Sequence, residues 1–289
     1  MKNYKGVISL DRLELTYESN ESLKLVLSDT EESEFVFGQL RLVREQSRLY
    51  SHEFLILGSD YDEEHGETER SIGSLYFGSP NPNRQYIYLL FENAALYDDY
   101  LLASRFYVES VLGLEFLRVS KIDIAADFNF NVVNRFYRLF KDPDYDLIIN
   151  GKKVADFWTT IPEVLHIAGK TNRKRPFAHH MPVVKNANGS MLMRAYDKSK
   201  EIEEDSGKEY IREKAGFNRL YRLEVSLGSH KVVKKVLDSL AMTDEELYAL
   251  LGHESMLIDF LVSALNKLVR ASRRRRSYGI LDVILHDER

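Results

Sequence analysis

The chain has 289 residues, 44% hydrophobic and 29% charged, with no cysteine and a formal charge of −5. That length accommodates one large domain or two modest ones, and the lack of cysteine excludes disulfides, a cysteine nucleophile and thiolate metal sites while suiting a reducing cytoplasm. The opening "MKNYKGVISLDRLELTYE" has no apolar core of a signal peptide, and no run approaches the ~20 apolar residues of a membrane span, so a cytoplasmic protein without a membrane partner is expected.

In chain order, "SLDRLELTYE" alternates as a strand does, and "LKLVLS" and "EFVFGQLRLV" read as further strands. Residues 51–79 read as a hairpin with a long acidic loop, "PNPN" as a turn and "QYIYLLFEN" as a strand. Tyr97 to Phe116 has helical spacing, with Asp98 and Asp99 near its start, where they favour the helix dipole. "LRVSKIDIAADFNFN" is a strand and "VVNRFYRLFKD" a short helix stopped by Pro143. Residues 144–161 give strand and turn signals, and "EVLHIAGKTNRKR" is a strand running into a basic loop. "GSMLMRAYDK" is a strand, "SKEIEEDSGKEYIREKAG" a charged helix and "NRLYRLEVSLGS" a strand. The last 60 or so residues read as helices, the longest being "ESMLIDFLVSALNKLVRA", with a short apolar run, "GILDVIL", at the end.

These elements predict an α+β fold: a mostly antiparallel central sheet, helices packed on one face and a helical C-terminal region. "DRLEL" and "KIDIA" each open a comparable strand-and-helix stretch, which would fit an internal duplication. Charge is unevenly spread. Residues 1–100 carry 9 Lys/Arg against 19 Asp/Glu, so the remainder is net positive. Its two basic clusters, "GKTNRKR" and "NKLVRASRRRR", are local patches of the kind a phosphate backbone feels within a Debye length, although charge runs are also simply solvated faces.

Three strands share one polarity pattern. Successive side chains point to opposite faces. In "KIDIAAD", Asp123, Ala125 and Asp127 oppose an apolar face. In "MLMRAYDK", Arg194, Tyr196 and Lys198 do so, and in "YRLEVSL", Arg222, Glu224 and Ser226. Joined in one sheet, these faces would merge carboxylates, cations and a tyrosine. Clustered carboxylates suit Mg²⁺ or Mn²⁺, a metal would polarise a phosphate oxygen, and cations beside a phenol lower the cost of its ionised form. The plainer reading is a half-exposed sheet with a rim tyrosine and surface salt bridges. His179 and His180 are adjacent and would point apart on a strand, so they read as loop residues, and His166 as structural. No P-loop is present.

"KIDIAAD", "LMRAYDKSKE" and "YRLEVSL", in that order, resemble the motif set of the replication initiation factor family, the rolling-circle plasmid and phage Rep proteins and related mobile-element relaxases. The resemblance covers residues 117–228. It implies a DNA nicking-closing enzyme whose tyrosine, at Tyr196, attacks a phosphodiester and becomes linked to the 5′ phosphate. It also implies a metal site at Glu224, Asp123 and Asp127, with Arg194 and Lys198 stabilising phenolate and phosphate charge. The sequence departs from the family at Lys121, where arginine is usual, and in its basic loop. On this reading residues 1–228 form the nicking domain and residues 229–289 a helical region packed on it. Lys170, Arg173, Lys174, Arg175 and Arg273, Arg274, Arg275, Arg276 are the expected DNA contacts, with Phe177 placed to stack on a base. The expected substrate is origin DNA, single-stranded or extruded at the nick site, and a host helicase and a homodimer are the further partners this reading admits. A relaxase acting at a transfer origin, a non-enzymatic origin-binding protein and an interaction protein without an active site are the alternatives.

Overall fold

A computed structural model of the chain describes residues 6–29, 31–62, 66–81, 85–98, 101–154, 165–168 and 181–286. The chain divides into two compact units, one comprising Met1–Leu10, Asp123–Thr243 and His253–Arg289, the other Asp11–Ile122 and Asp244–Gly252. The α+β class and the large antiparallel sheet are as the sequence predicts.

The unit containing Asp11–Ile122 is built on strands β1 (Gly6–Tyr17), β2 (Glu34–Phe37), β3 (Leu40–Glu45), β4 (His52–Asp62), β5 (Gly66–Phe77), β6 (Ile87–Phe91) and β7 (Phe116–Phe128), of which β1 contributes its second half and β7 its first. Their order is β7-β1-β6-β5-β4-β3-β2. Leu13, Leu15 and Tyr17 alternate along β1 and are buried with Phe54, Ile56, Leu40 and Leu42. The Tyr17 hydroxyl donates to Glu109 at 2.7 Å, tying the strand to a helix at Leu101–Leu112.

Two expectations fail here for identifiable reasons. "LKLVLS" is not a strand: Glu21–Leu27 forms helix α1. The Asn20 side chain accepts a hydrogen bond from the Leu23 amide at 3.0 Å, and Leu23 and Leu27, one turn apart, are the buried pair. The alternating leucines mimic a strand, and the cap decides for the helix. Asn20→Ala is therefore expected to destabilise the protein by about 1 kcal/mol in chemical denaturation. The acidic loop is also shorter than expected. Strands β4 and β5 stay paired as far as Tyr61↔Glu67 and Asp62↔Gly66, so much of the acidic stretch lies within strands.

The other unit holds strands β10 (Leu165–Ala168), β11 (Met181–Lys185), β12 (Met191–Asp197) and β13 (Tyr221–Leu227), in the order β10-β11-β12-β13-β7, with β7 contributing from Asp123 onward. The helix at Val132–Lys141, capped by Asn131, and the helices at His230–Leu240 and Glu254–Leu268 pack against this sheet. Met193, Ala195, Leu223 and Val225 on β12 and β13 are buried with Val233, Val236, Phe260 and Leu261 in the core.

The predicted charged helix after β12 is broken into three pieces: a turn of α-helix at Lys198–Glu201, a π-helical stretch at Ile202–Ser206, and a second α-helix at Glu209–Ala215. Gly207 ends the first two in the left-handed region at φ 64°, the conformation glycine adopts without steric cost. The C-terminal region is helical except where the sequence reading ran a helix through "LVRA". That helix stops at Leu268. Val269 to Gly279 is instead a hairpin of β14 (Val269–Arg273) and β15 (Arg276–Gly279). Val269 and Ala271 are buried while Arg270 is exposed, a period of two that the preceding run of helical spacing masked. The hairpin belongs to a four-stranded sheet, β15-β14-β8-β9, with β8 at Asp146–Ile149 and β9 at Lys152–Lys153.

Candidate active site

The register of β12 on β13 builds the site. Arg194 lies opposite Glu224 and Tyr196 opposite Arg222, and directly opposed residues of antiparallel strands share a face. Strand β7, carrying Asp123 and Asp127, is the next neighbour of β13. The three motif strands are thus consecutive in one sheet, and their polar faces merge as expected.

The merged face is not a solvated rim. Glu224 and Arg222 are 0% exposed, Asp127 1% and Asp123 9%. Charges buried this deeply need partners, and they have them. The Arg222 guanidinium donates to both Asp127 oxygens, Nε to Oδ1 at 2.8 Å and Nη2 to Oδ2 at 2.7 Å, a bidentate pair. Arg194 Nη2 donates to Glu224 Oε1, and the Tyr196 hydroxyl donates to Glu224 Oε2 at 3.0 Å. Ser226 Oγ lies 3.4 Å from Glu224 Oε1. Burial works against the Arg194 charge, but the Glu224 carboxylate beside it more than offsets this, with Tyr196 and Asp123 adding to the effect, so the guanidinium is held above its ordinary range.

Lys198 is buried and its Nζ sits 2.5 Å from Glu201 Oε2, while lying 5.9 Å from the Tyr196 ring centroid. It is therefore near the phenol, with its charge shared with a carboxylate one turn along. Tyr221, the next tyrosine of the motif strands, belongs to the opposite face: it pairs with Asp197 across the strands. Burial, and then the Asp197 carboxylate, push its phenol above the ordinary value, the wrong direction for an attacking phenolate.

The expected metal set does not come together as a common cation site. Asp127 gives both oxygens to Arg222, and Glu224 gives one to Arg194 and one to Tyr196. Among the described residues no group of three or more His, Cys, Asp or Glu side chains is placed to hold a metal ion. The sequence reading missed the Asp127–Arg222 pair, because alternation shows which residues share a face but not which of them bond.

The Arg273–Arg276 run forms the tip of the β14–β15 hairpin. Arg273 pairs with Asp144 at 2.8 Å and lies over the Tyr145 ring, and Arg274, Arg275 and Arg276 are exposed. Lys170, Arg173, Lys174, Arg175, Phe177, His179 and His180 lie outside the described residues, and so does the side chain of His166.

No family model matches the chain, and no curated protein matches it. Among solved structures it is similar to a rolling circle replication initiator protein from Geobacillus stearothermophilus, at 10% identity over 94% of this chain and 89% of that one, with a TM-score of 0.45. Likeness of that degree carries no functional argument, which rests instead on the residues themselves. Among the described residues, no helix is long and apolar enough to cross a membrane.

Proposed function

We propose that the chain nicks and religates DNA with Tyr196 as nucleophile, as a replication initiator acting at a plasmid or phage origin. The observation that carries this reading is the Tyr196 hydroxyl bonded at 3.0 Å to a fully buried carboxylate that also holds Arg194. A phenol is a poor nucleophile at neutral pH. It needs an acceptor for its proton and a cation for its charge, and both are within reach.

In the proposed step the Tyr196 oxygen forms a bond to phosphorus as its proton passes to Glu224. The bond from phosphorus to the 3′ oxygen breaks and leaves a 3′ hydroxyl after protonation. The product is a 5′-phosphotyrosine, and closing is the reverse. The Arg194 side chain is 36% exposed, so its guanidinium can also meet a non-bridging phosphate oxygen. Lys198, with Glu201 as its counter-ion, adds positive charge beside the ring. The carboxylates as arranged do not frame a metal centre, and no step is routed through Mg²⁺ or Mn²⁺, although a requirement for either belongs to the proposal. The partition into a nicking domain at residues 1–228 and a packed helical region at residues 229–289 belongs to it as well, as do contacts from Lys170, Arg173, Lys174 and Arg175 to the DNA backbone, a cytoplasmic location and the helicase and homodimer partners.

The hairpin arginines are assigned to DNA by a contrast within one sheet. The β8–β9 turn uses Asn150 and Gly151, at φ 49° and 77°, the residues a two-residue turn with positive φ favours. The β14–β15 turn also has positive φ at both central residues but uses Arg274 and Arg275, at φ 49° and 67°. Bulky residues there cost about 1 kcal/mol or more each, which functional sites tolerate. Replacing Arg274–Arg275 with Asn–Gly is expected to raise stability by roughly 1 kcal/mol. The same change should weaken DNA binding and flatten its log–log salt slope by about 1.5 to 2. Paired denaturation and salt-titrated binding measurements check both effects.

The test of the function is incubation with supercoiled DNA from the element that encodes the protein, with Mn²⁺ or with EDTA, followed by protease digestion and electrophoresis. Relaxed circles and a covalent protein–DNA species are expected. Binding without nicking would favour a non-enzymatic origin-binding protein. Nicking confined to a conjugative transfer origin would favour a relaxase, which uses the same chemistry.

A further inference from the structure

We infer that Arg222 is a positioning residue for Tyr196, and that Asp127 is its fixed counter-ion rather than a cation ligand. The catalytic consequence rests on the nicking reading above; the geometry does not.

Stability alone does not account for this pair. Burying an arginine and an aspartate at 0% and 1% exposure costs desolvation that their attraction barely recovers, and apolar residues of similar volume often do as well or better. Its location gives the reason. Arg222 lies directly across the strands from Tyr196, where Cβ atoms are about 5 Å apart. Asp127 grips the guanidinium at two nitrogens, at 2.8 and 2.7 Å. This fixes the plane of the fork and leaves little rotamer freedom.

A guanidinium has five donors and no acceptor. The group opposite Tyr196 therefore cannot receive the phenol's proton. The hydroxyl turns along the diagonal to Glu224, two residues further along β13, where it is found at 3.0 Å. Arg222 thereby offers the phenol's proton no acceptor and leaves it to the carboxylate that takes it. Asp127 completes the arrangement by holding Arg222 at two nitrogens from β7.

The decisive variant exchanges the pair, Arg222→Asp with Asp127→Arg. It conserves net charge and the ion pair across β7 and β13, but places an acceptor opposite Tyr196. In its crystal structure the Tyr196 hydroxyl is expected to leave Glu224 for the carboxylate introduced at position 222. Single-turnover nicking should fall about 100-fold, as misplacement of a reacting group does, with DNA affinity changed less than about twofold. A Tyr196–Glu224 bond that survives the exchange overturns the inference, as does nicking at the wild-type rate. Should the wild type nick no DNA, the catalytic reading fails, and the crystallographic result still decides the positioning. Should the exchange variant not fold, Arg222→Gln with Asp127→Asn replaces it. Removing both charges together strands neither of them, and the glutamine side-chain oxygen is an acceptor opposite Tyr196, so the hydroxyl should then no longer be confined to Glu224. A hydroxyl still fixed there overturns the inference.

Discussion

Tyr196→Phe is expected to abolish the covalent protein–DNA species and to lower nicking by about a thousandfold or more, because it removes the atom that bonds to phosphorus. The variant should fold. Tyr196 is part-buried and the ring is retained; the loss includes the hydrogen bond to Glu224. That leaves an acceptor on a fully buried carboxylate less well satisfied, at a cost of about 1 to 3 kcal/mol. DNA binding should persist, since neither Arg194 nor the arginine hairpin is touched. Electrophoresis after protease digestion reads the covalent product, and a mobility shift reads binding. Nicking that survives the substitution would remove Tyr196 from the mechanism.

Asp127→Leu is expected to destabilise the protein by about 3 to 5 kcal/mol, because it strands the Arg222 charge in the core. The thermal midpoint should fall by roughly 10 °C. The size of this effect separates two roles. A carboxylate reserved for a cation relieves repulsion when it is removed from an otherwise acidic cluster, so its loss in metal-free buffer would cost little or would stabilise. A counter-ion bonded at both oxygens to a guanidinium that is itself fully buried is costly to lose whether or not Mg²⁺ or Mn²⁺ is present. Calorimetry with and without EDTA distinguishes them, and a midpoint within 2 °C or so of wild type would return Asp127 to the metal site.

A large part of the site is legible from the order of residues alone. Alternation along β7, β12 and β13 places Asp123, Asp127, Arg194, Tyr196, Arg222 and Glu224 on polar faces, because a strand's side-chain period is two wherever the strand lies. The apolar partners Met193, Ala195, Leu223 and Val225 follow from the same rule, and all four are buried. Local signals identify most elements as well, and where they fail the cause is local. In α1 the capping Asn20 outweighs an alternating run of leucines. At Val269 a strand begins within the spacing of a helix.

Tertiary structure alone decides the rest. That β12, β13 and β7 are consecutive, and that Tyr196 faces Arg222 while Arg194 faces Glu224, depends on strand pairing between residues about 30 to 95 positions apart, which no local pattern encodes. Burial depends on the packing of both faces, so a face that reads as solvated in one strand becomes interior when the sheet is assembled. Pairing of charges follows from that burial. Once Arg222 and Asp127 are taken from water each must find the other, and the carboxylate that the sequence offers to a metal ion is committed to a guanidinium instead.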